Sequence, residues 1–333
     1  MKRRDLLTGV FAGGALAAGG VGWWRSRGGA EAEQAFTARE LPYDPVAEVL
    51  PIRRDKAQLK REAALARLDA ELVDRESPLA SSPRSAQAAQ AANLDAGKIL
   101  EKVRNYDRDF ADDIVLSPAD MLLMQAVVKR LAAVQRVVGH GNYNLISFDA
   151  LLKFAKRFPE VGRFTPPELQ FLEQIFFAKA SSYGFLGDKV TTELTATIAK
   201  RDTYKVPRSG HYVYRGDSRN YYDKLVKDVG EGIILTSGIR SNVKQMHLFL
   251  AKAVRAQGNL SRASRSLAPP GHSYHGIGDF DVGRTGWGAS NFTDKFARTD
   301  EFKRMQDLGY VQIRYTEDNQ LGVRFEPWHI KVV

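Results

Sequence analysis

Gly271-His272-Ser273-Tyr274-His275-Gly276-Ile277-Gly278-Asp279-Phe280-Asp281-Val282-Gly283 and Phe325-Glu326-Pro327-Trp328-His329-Ile330 are the two stretches on which the reading of this sequence turns. Together they hold three of the chain's six histidines. A hydrolytic metal site needs three nitrogen or oxygen ligands with one position left open, and a nearby carboxylate that is not a ligand and can take a proton. His275, Asp281 and His329 offer such ligands, and Glu326, three residues before His329, offers the carboxylate. Phe280-Asp281-Val282 has the texture of a strand, and the glycines at 276, 278 and 283 let backbone approach closely. On spacing alone a plain glycine-rich loop stays open as the other reading.

Outward from these stretches, the texture is mixed. Ile233–Thr236 predicts a short buried strand, Ser241–Ala256 a helix, and Thr299–Leu308 another helix closed by Gly309. Val311–Tyr315 alternates like a half-buried strand, and the turn at 317–320 predicts a hairpin with Gly322–Phe325. Residues 93–200 look all-helical. Ser117-Pro118-Ala119-Asp120 is a helix start, and Thr165-Pro166-Pro167-Glu168 has the form of a capping box. The expected fold class is α+β: a C-terminal antiparallel-sheet domain at 205–333, preceded by a helical accessory domain at 96–204.

The 333 residues include no cysteine, which excludes disulfides, a thiol nucleophile and thiolate metal sites. The formal net charge is +10. No basic run is interleaved with aromatics as a nucleic-acid groove requires, so a nucleic-acid partner is not expected. The basic excess suits an anionic partner such as a cell-wall polymer. Paired Arg3 and Arg4 before a Gly/Ala-rich apolar run resemble a twin-arginine export signal over residues 1–28. Export to the periplasm or cell envelope is the expectation, with cleavage or retention as a membrane anchor both open. Residues 29–95 read as linker with a helical segment from Leu59 to about Arg75.

Three elements carry a family resemblance. Ser273-Tyr274-His275-x-x-Gly278, followed by Asp281, resembles the Ser-x-His-x-x-Gly-x-Ala-x-Asp signature of VanY-like D-alanyl-D-alanine carboxypeptidases. Glu326-Pro327-Trp328-His329 is similar to that family's Glu-Pro-Trp-His ending. Ser237-Gly238-Ile239-Arg240-Ser241 with Gln245 resembles its Ser-Gly-Tyr-Arg-Ser…Gln element. Gly271-His272-x-x-His275 also looks like the murein endopeptidases of the same LAS superfamily.

The resemblance covers about 205–333 and implies a Zn2+-dependent peptidase acting on peptidoglycan stem peptides. It implies His275, Asp281 and His329 as zinc ligands, Glu326 as catalytic base, and Arg240 as the holder of substrate or oxyanion. Ser273, Gln245 and Ser237 fall at substrate-side positions. The family places six residues between its first His and Asp, whereas five separate His275 from Asp281, so Asp279 stays open as the ligand. A carboxypeptidase, an endopeptidase with the same site, and a cell-wall binding protein with a degenerate site remain as alternatives.

Overall fold

The computed structural model describes residues 96–333. The expected export signal at 1–28 and the linker with its helical segment at 29–95 lie outside the described residues. Helix α1 (Pro118–Val138) starts where Ser117 accepts a hydrogen bond from the Asp120 amide, with proline in the first turn. Helices α2 (His140–Tyr143) and α3 (Phe148–Arg157) follow. Helix α4 (Pro166–Phe177) carries the full capping box, in which Thr165 Oγ1 accepts from the Glu168 amide and Glu168 accepts from the Thr165 amide. Each device satisfies amides that the first helical turn leaves without partners.

Two antiparallel sheets follow. Strands β1 (Thr203–Lys205) and β2 (Tyr212–Tyr214) form a small ribbon. After α5 (Asp217–Val229), β3 (Ile233–Ser237) leads through a short loop into α6 (Asn242–Arg255) and α7 (Leu260–Ser264). Strand β4 (Phe280–Arg284), helix α8 (Asp300–Asp307) and β5 (His329–Ile330) complete the chain order, and the larger sheet runs β3-β4-β5. The mixed helix and antiparallel-sheet architecture agrees with the α+β expectation.

Two main cores hold these elements. Phe280 and Val282 of β4 pack with Leu225 of α5, Phe302 and Met305 of α8, and Ile330 of β5. Because side chains alternate across a strand, Asp281 faces the opposite side of the sheet. The second core joins Leu131 of α1, Leu151 of α3 and Phe176 of α4 to Phe249 and Leu250 of α6. Its packing therefore runs across the 204/205 boundary, and α6, which follows the loop that holds Arg240, is embedded among the helices.

The predicted hairpin at 311–325 does not form. Ile313 makes a single antiparallel bridge to Ile330 of β5, and Lys331 donates its amide to the Gln312 carbonyl. The Leu321 carbonyl instead accepts from the Leu186 amide, and the Arg324 amide donates to the Arg265 carbonyl. Apart from the Glu326 amide, which donates to the Tyr315 carbonyl, both halves of the expected hairpin thus find backbone partners elsewhere. Among the described residues no helix is long and apolar enough to cross a membrane.

Candidate metal centre

Sheet register builds the site. Asp281 in the middle of β4 lies opposite Ser237 of β3 on one side and His329 of β5 on the other. Residues directly opposite across antiparallel strands present their side chains on the same face. His275 reaches this face from a tight turn, Tyr274–Gly276. The amides of Ile277, Gly278 and Asp279 all converge on the Tyr274 carbonyl, with Gly278 at φ 143°. This tight reversal lets five residues bring His275 back onto β4.

His275, Asp281 and His329 are all buried, and one ligand atom from each lies within 4.8 Å of the others. Asp281 Oδ1 stands 3.3 Å from His275 Nε2 and 3.3 Å from His329 Nδ1. Each imidazole is anchored by its far nitrogen. His275 Nδ1 donates to the Gly238 carbonyl at 2.9 Å, and His329 Nε2 donates to Asp279 Oδ2 at 3.1 Å. Both acceptors can only accept, so each far nitrogen carries a proton.

Two of the three inward atoms, His275 Nε2 and Asp281 Oδ1, are buried and have no hydrogen-bond partner. Leaving a buried polar atom unsatisfied costs about 1–3 kcal/mol. A divalent cation satisfies both at once, and two imidazoles with one carboxylate are a donor set that open zinc sites use. The residues present therefore fit such an ion.

The choice between the two aspartates follows from their partners. Asp279 Oδ2 accepts from His329 Nε2 and from Arg314 Nε at 2.7 Å, while its Oδ1 accepts from the Val332 and Val333 amides at 2.9 and 3.3 Å. A carboxylate has about four lone-pair positions, and all four are taken. Asp281 keeps Oδ1 free and commits only Oδ2, to Arg240 Nη2 at 2.6 Å.

Charges are distributed accordingly. Burial, reinforced by Arg240, pushes the His275 imidazole down to about 4, so it is neutral at pH 7, as a ligand must be. Burial opposes the Asp281 charge, but the cationic surroundings, with the Arg240 guanidinium directly on Oδ2, outweigh it and hold the carboxyl well below its usual range. Burial also disfavours a charged His329, yet Asp279 and Asp281 overcome this and raise it to about 9, so in the metal-free protein its Nδ1 also holds a proton, which a cation bound there would displace. Glu326 is pushed up to about 7 by burial, which Arg324 only partly offsets from 3.7 Å.

Arg240 lies in the loop between β3 and α6. Its Nε donates to Ser237 Oγ at 2.9 Å and its Nη2 to Asp281, which leaves Nη1 for an anion. Gln245 stands apart from the cluster and donates to the Ala268 carbonyl at 2.6 Å. Ser273 is buried two residues before His275. Three residues around the site had not been singled out from sequence. Tyr315 packs edge-on against His329 with ring centroids 4.9 Å apart, Arg314 holds Asp279, and Arg324 flanks Glu326. Their only sequence signal was proximity to the second stretch.

Three solved structures are similar in part. "VanYB in complex with D-Alanine-D-Alanine" matches at 20% identity over 45% of this chain and 84% of that one, with a TM-score of 0.35. A mutant of the vancomycin-resistance D,D-pentapeptidase VanY in complex with Zn(II) matches at 20% identity over 44% and 85%, with a TM-score of 0.34. The LdcB LD-carboxypeptidase, described for peptidoglycan recognition, matches at 20% identity over 39% of this chain, with a TM-score of 0.32. This chain spans 63% of the LdcB chain's length. No curated protein matches the chain. The family model of VanY, D-alanyl-D-alanine carboxypeptidase, matches residues 222–333, the segment that carries Arg240, His275, Asp281, Glu326 and His329.

Proposed function

We propose that the chain is a zinc-dependent peptidase that hydrolyses a peptide bond in peptidoglycan stem peptides, most simply the terminal D-Ala-D-Ala bond. The observation that carries this reading is the buried convergence of His275, Asp281 and His329, with two inward atoms lacking any partner. The VanY family match over 222–333 supports the substrate class.

When bound, zinc supplies Lewis-acid polarisation of the scissile carbonyl and lowers the pKa of nearby water. His275, Asp281 and His329 would hold it. Glu326, 8% exposed and raised to about 7, is poised both to take a proton from the attacking water and to return it to the leaving amine nitrogen. Arg240 Nη1 is available to the substrate carboxylate or the developing oxyanion, while Ser237 and Asp281 fix its guanidinium plane. Export through the paired arginines of the first 28 residues belongs to the same reading, since it would place the site with its substrate.

The test is mass analysis of purified stem peptides after incubation with the protein, with and without chelator. Loss of a single terminal alanine, abolished by chelator, is the expected result. Cleavage within cross-linked peptides would instead assign an endopeptidase. No cleavage by zinc-loaded protein would refute the enzymatic reading and leave the site as a binding pocket.

A further inference from the structure

We infer that Asp279 is a positioning residue for His329, fixing the ring's orientation and its protonated nitrogen so that metal affinity depends on a carboxylate that is not a ligand. This rests on the metallopeptidase reading above. Asp279 stands at the meeting point of both ligand-bearing stretches. Its Oδ2 receives the Nε2 proton of His329, which aims Nδ1 at Asp281. Its Oδ1 is pinned by the Val332 and Val333 amides, just beyond β5, so it cannot swing away from the ring.

Arg314 completes the arrangement. Its Nε donates to Asp279 Oδ2, its Nη2 donates to the Val333 carbonyl, and its guanidinium stacks 3.6 Å from the centre of the Tyr274 ring, the residue before His275. Asp279 and Arg314 therefore tie the His275 turn to the strand that carries His329. A carboxylate behind a ligating imidazole sets its tautomer and raises its basicity as a donor. Asparagine is not a conservative replacement here. Its single carbonyl oxygen can serve one side of the cluster, while its NH2 must face donors on the other.

The experiment uses the full chain with zinc as the probe. Zinc affinity by chelator competition is expected to fall about 10–100-fold in both Asp279→Ala and Asp279→Asn. In zinc-loaded wild-type protein, the 15N and 1H spectrum of the His329 ring should show a slowly exchanging proton on Nε2, and the Asp279→Ala variant should lose that slow exchange. A merely structural Asp279 would lower thermal stability and leave zinc affinity and the ring spectrum unchanged, which overturns the inference. Finding Nε2 of His329 without a proton in the zinc-loaded wild type overturns it without any variant, should Asp279→Ala fail to fold. Wild-type protein that binds no zinc sinks the metallopeptidase reading along with it, whereas equal affinity in wild type and variants sinks this inference alone.

Discussion

Replacing Glu326 by glutamine should make the metal-free protein more stable while removing its activity. The Glu326 side chain is buried, its carboxylate accepts no hydrogen bond from another side chain, and its nearest charge is Arg324 Nε at 3.7 Å. Its carboxyl rises from an ordinary 4.5 to about 7, chiefly through burial. At 1.36 kcal/mol for each tenfold change, ionising Glu326 in the folded protein costs about 3 kcal/mol. Below pH 4.5 both states hold the proton and the cost is absent. Between 4.5 and about 7 the unfolded chain gives up its proton first, so stability falls as pH rises, and above about 7 the full cost applies. Glutamine keeps the volume and never ionises. The Glu326→Gln variant should therefore match the wild type near pH 4, apart from a pH-independent offset of about 1 kcal/mol for its new amide. From pH 4 to pH 8 its melting temperature should rise by about 6–12 °C relative to the wild type, the shift that about 3 kcal/mol gives in a domain of this size. Thermal denaturation of both proteins across this pH range, in chelator, reads the difference, and the same variant should hydrolyse peptide about 100- to 10,000-fold more slowly. A melting difference that stays flat from pH 4 to pH 8 would refute the claim that burial has raised this carboxyl.

Two further perturbations bear on how the site is held. A Cβ at Gly238 would stand 1.9 Å from the Tyr212 carbonyl oxygen, and backbone cannot yield as a side chain can. Gly238→Ala should cost about 3 kcal/mol, as forced overpacking does, and should weaken zinc binding because the Gly238 carbonyl anchors His275 Nδ1. Urea denaturation and chelator competition check the two effects, and a variant of wild-type stability would contradict the close approach. Arg265 pairs with both oxygens of Asp113 at 2.8 and 3.0 Å, with both side chains almost wholly buried. Asp113→Ala removes the carboxylate from a buried guanidinium that keeps only the Tyr106 and Arg108 carbonyls as acceptors, and should destabilise by about 3–5 kcal/mol in urea denaturation, whereas a loss under 1 kcal/mol would show that the pair is dispensable.

What sequence made legible was local. Ser117, Thr165, Ser241 and Thr299 each cap the helix expected after them, because an N-cap depends on residues only three positions apart. The hairpin at 311–325 failed because strand partners are chosen by distant segments. The alternation of Val311, Ile313 and Tyr315 does mark inward-facing residues, but the β5 segment and the Arg265 carbonyl supply most of the backbone partners that the turn at 317–320 was expected to bring together.

The same distinction governs the site. The residue types at 275, 281, 326 and 329 were readable because their motif elements are short. Choosing between Asp279 and Asp281 was not, since positions two apart fall on the same side of an extended segment and differ only in the partners they meet. Register decides it: Asp281 lies opposite His329 with Oδ1 uncommitted, while Asp279 has four donors on its two oxygens. Arg314, Val332 and Val333 supply three of those four, and they lie 35 or more positions from Asp279 in the chain. Spacing motifs carry no record of such partners. A short motif can therefore say which side chains are able to grip a cation, but only the fold shows which aspartate keeps an oxygen free and which one is spent on the imidazole behind it.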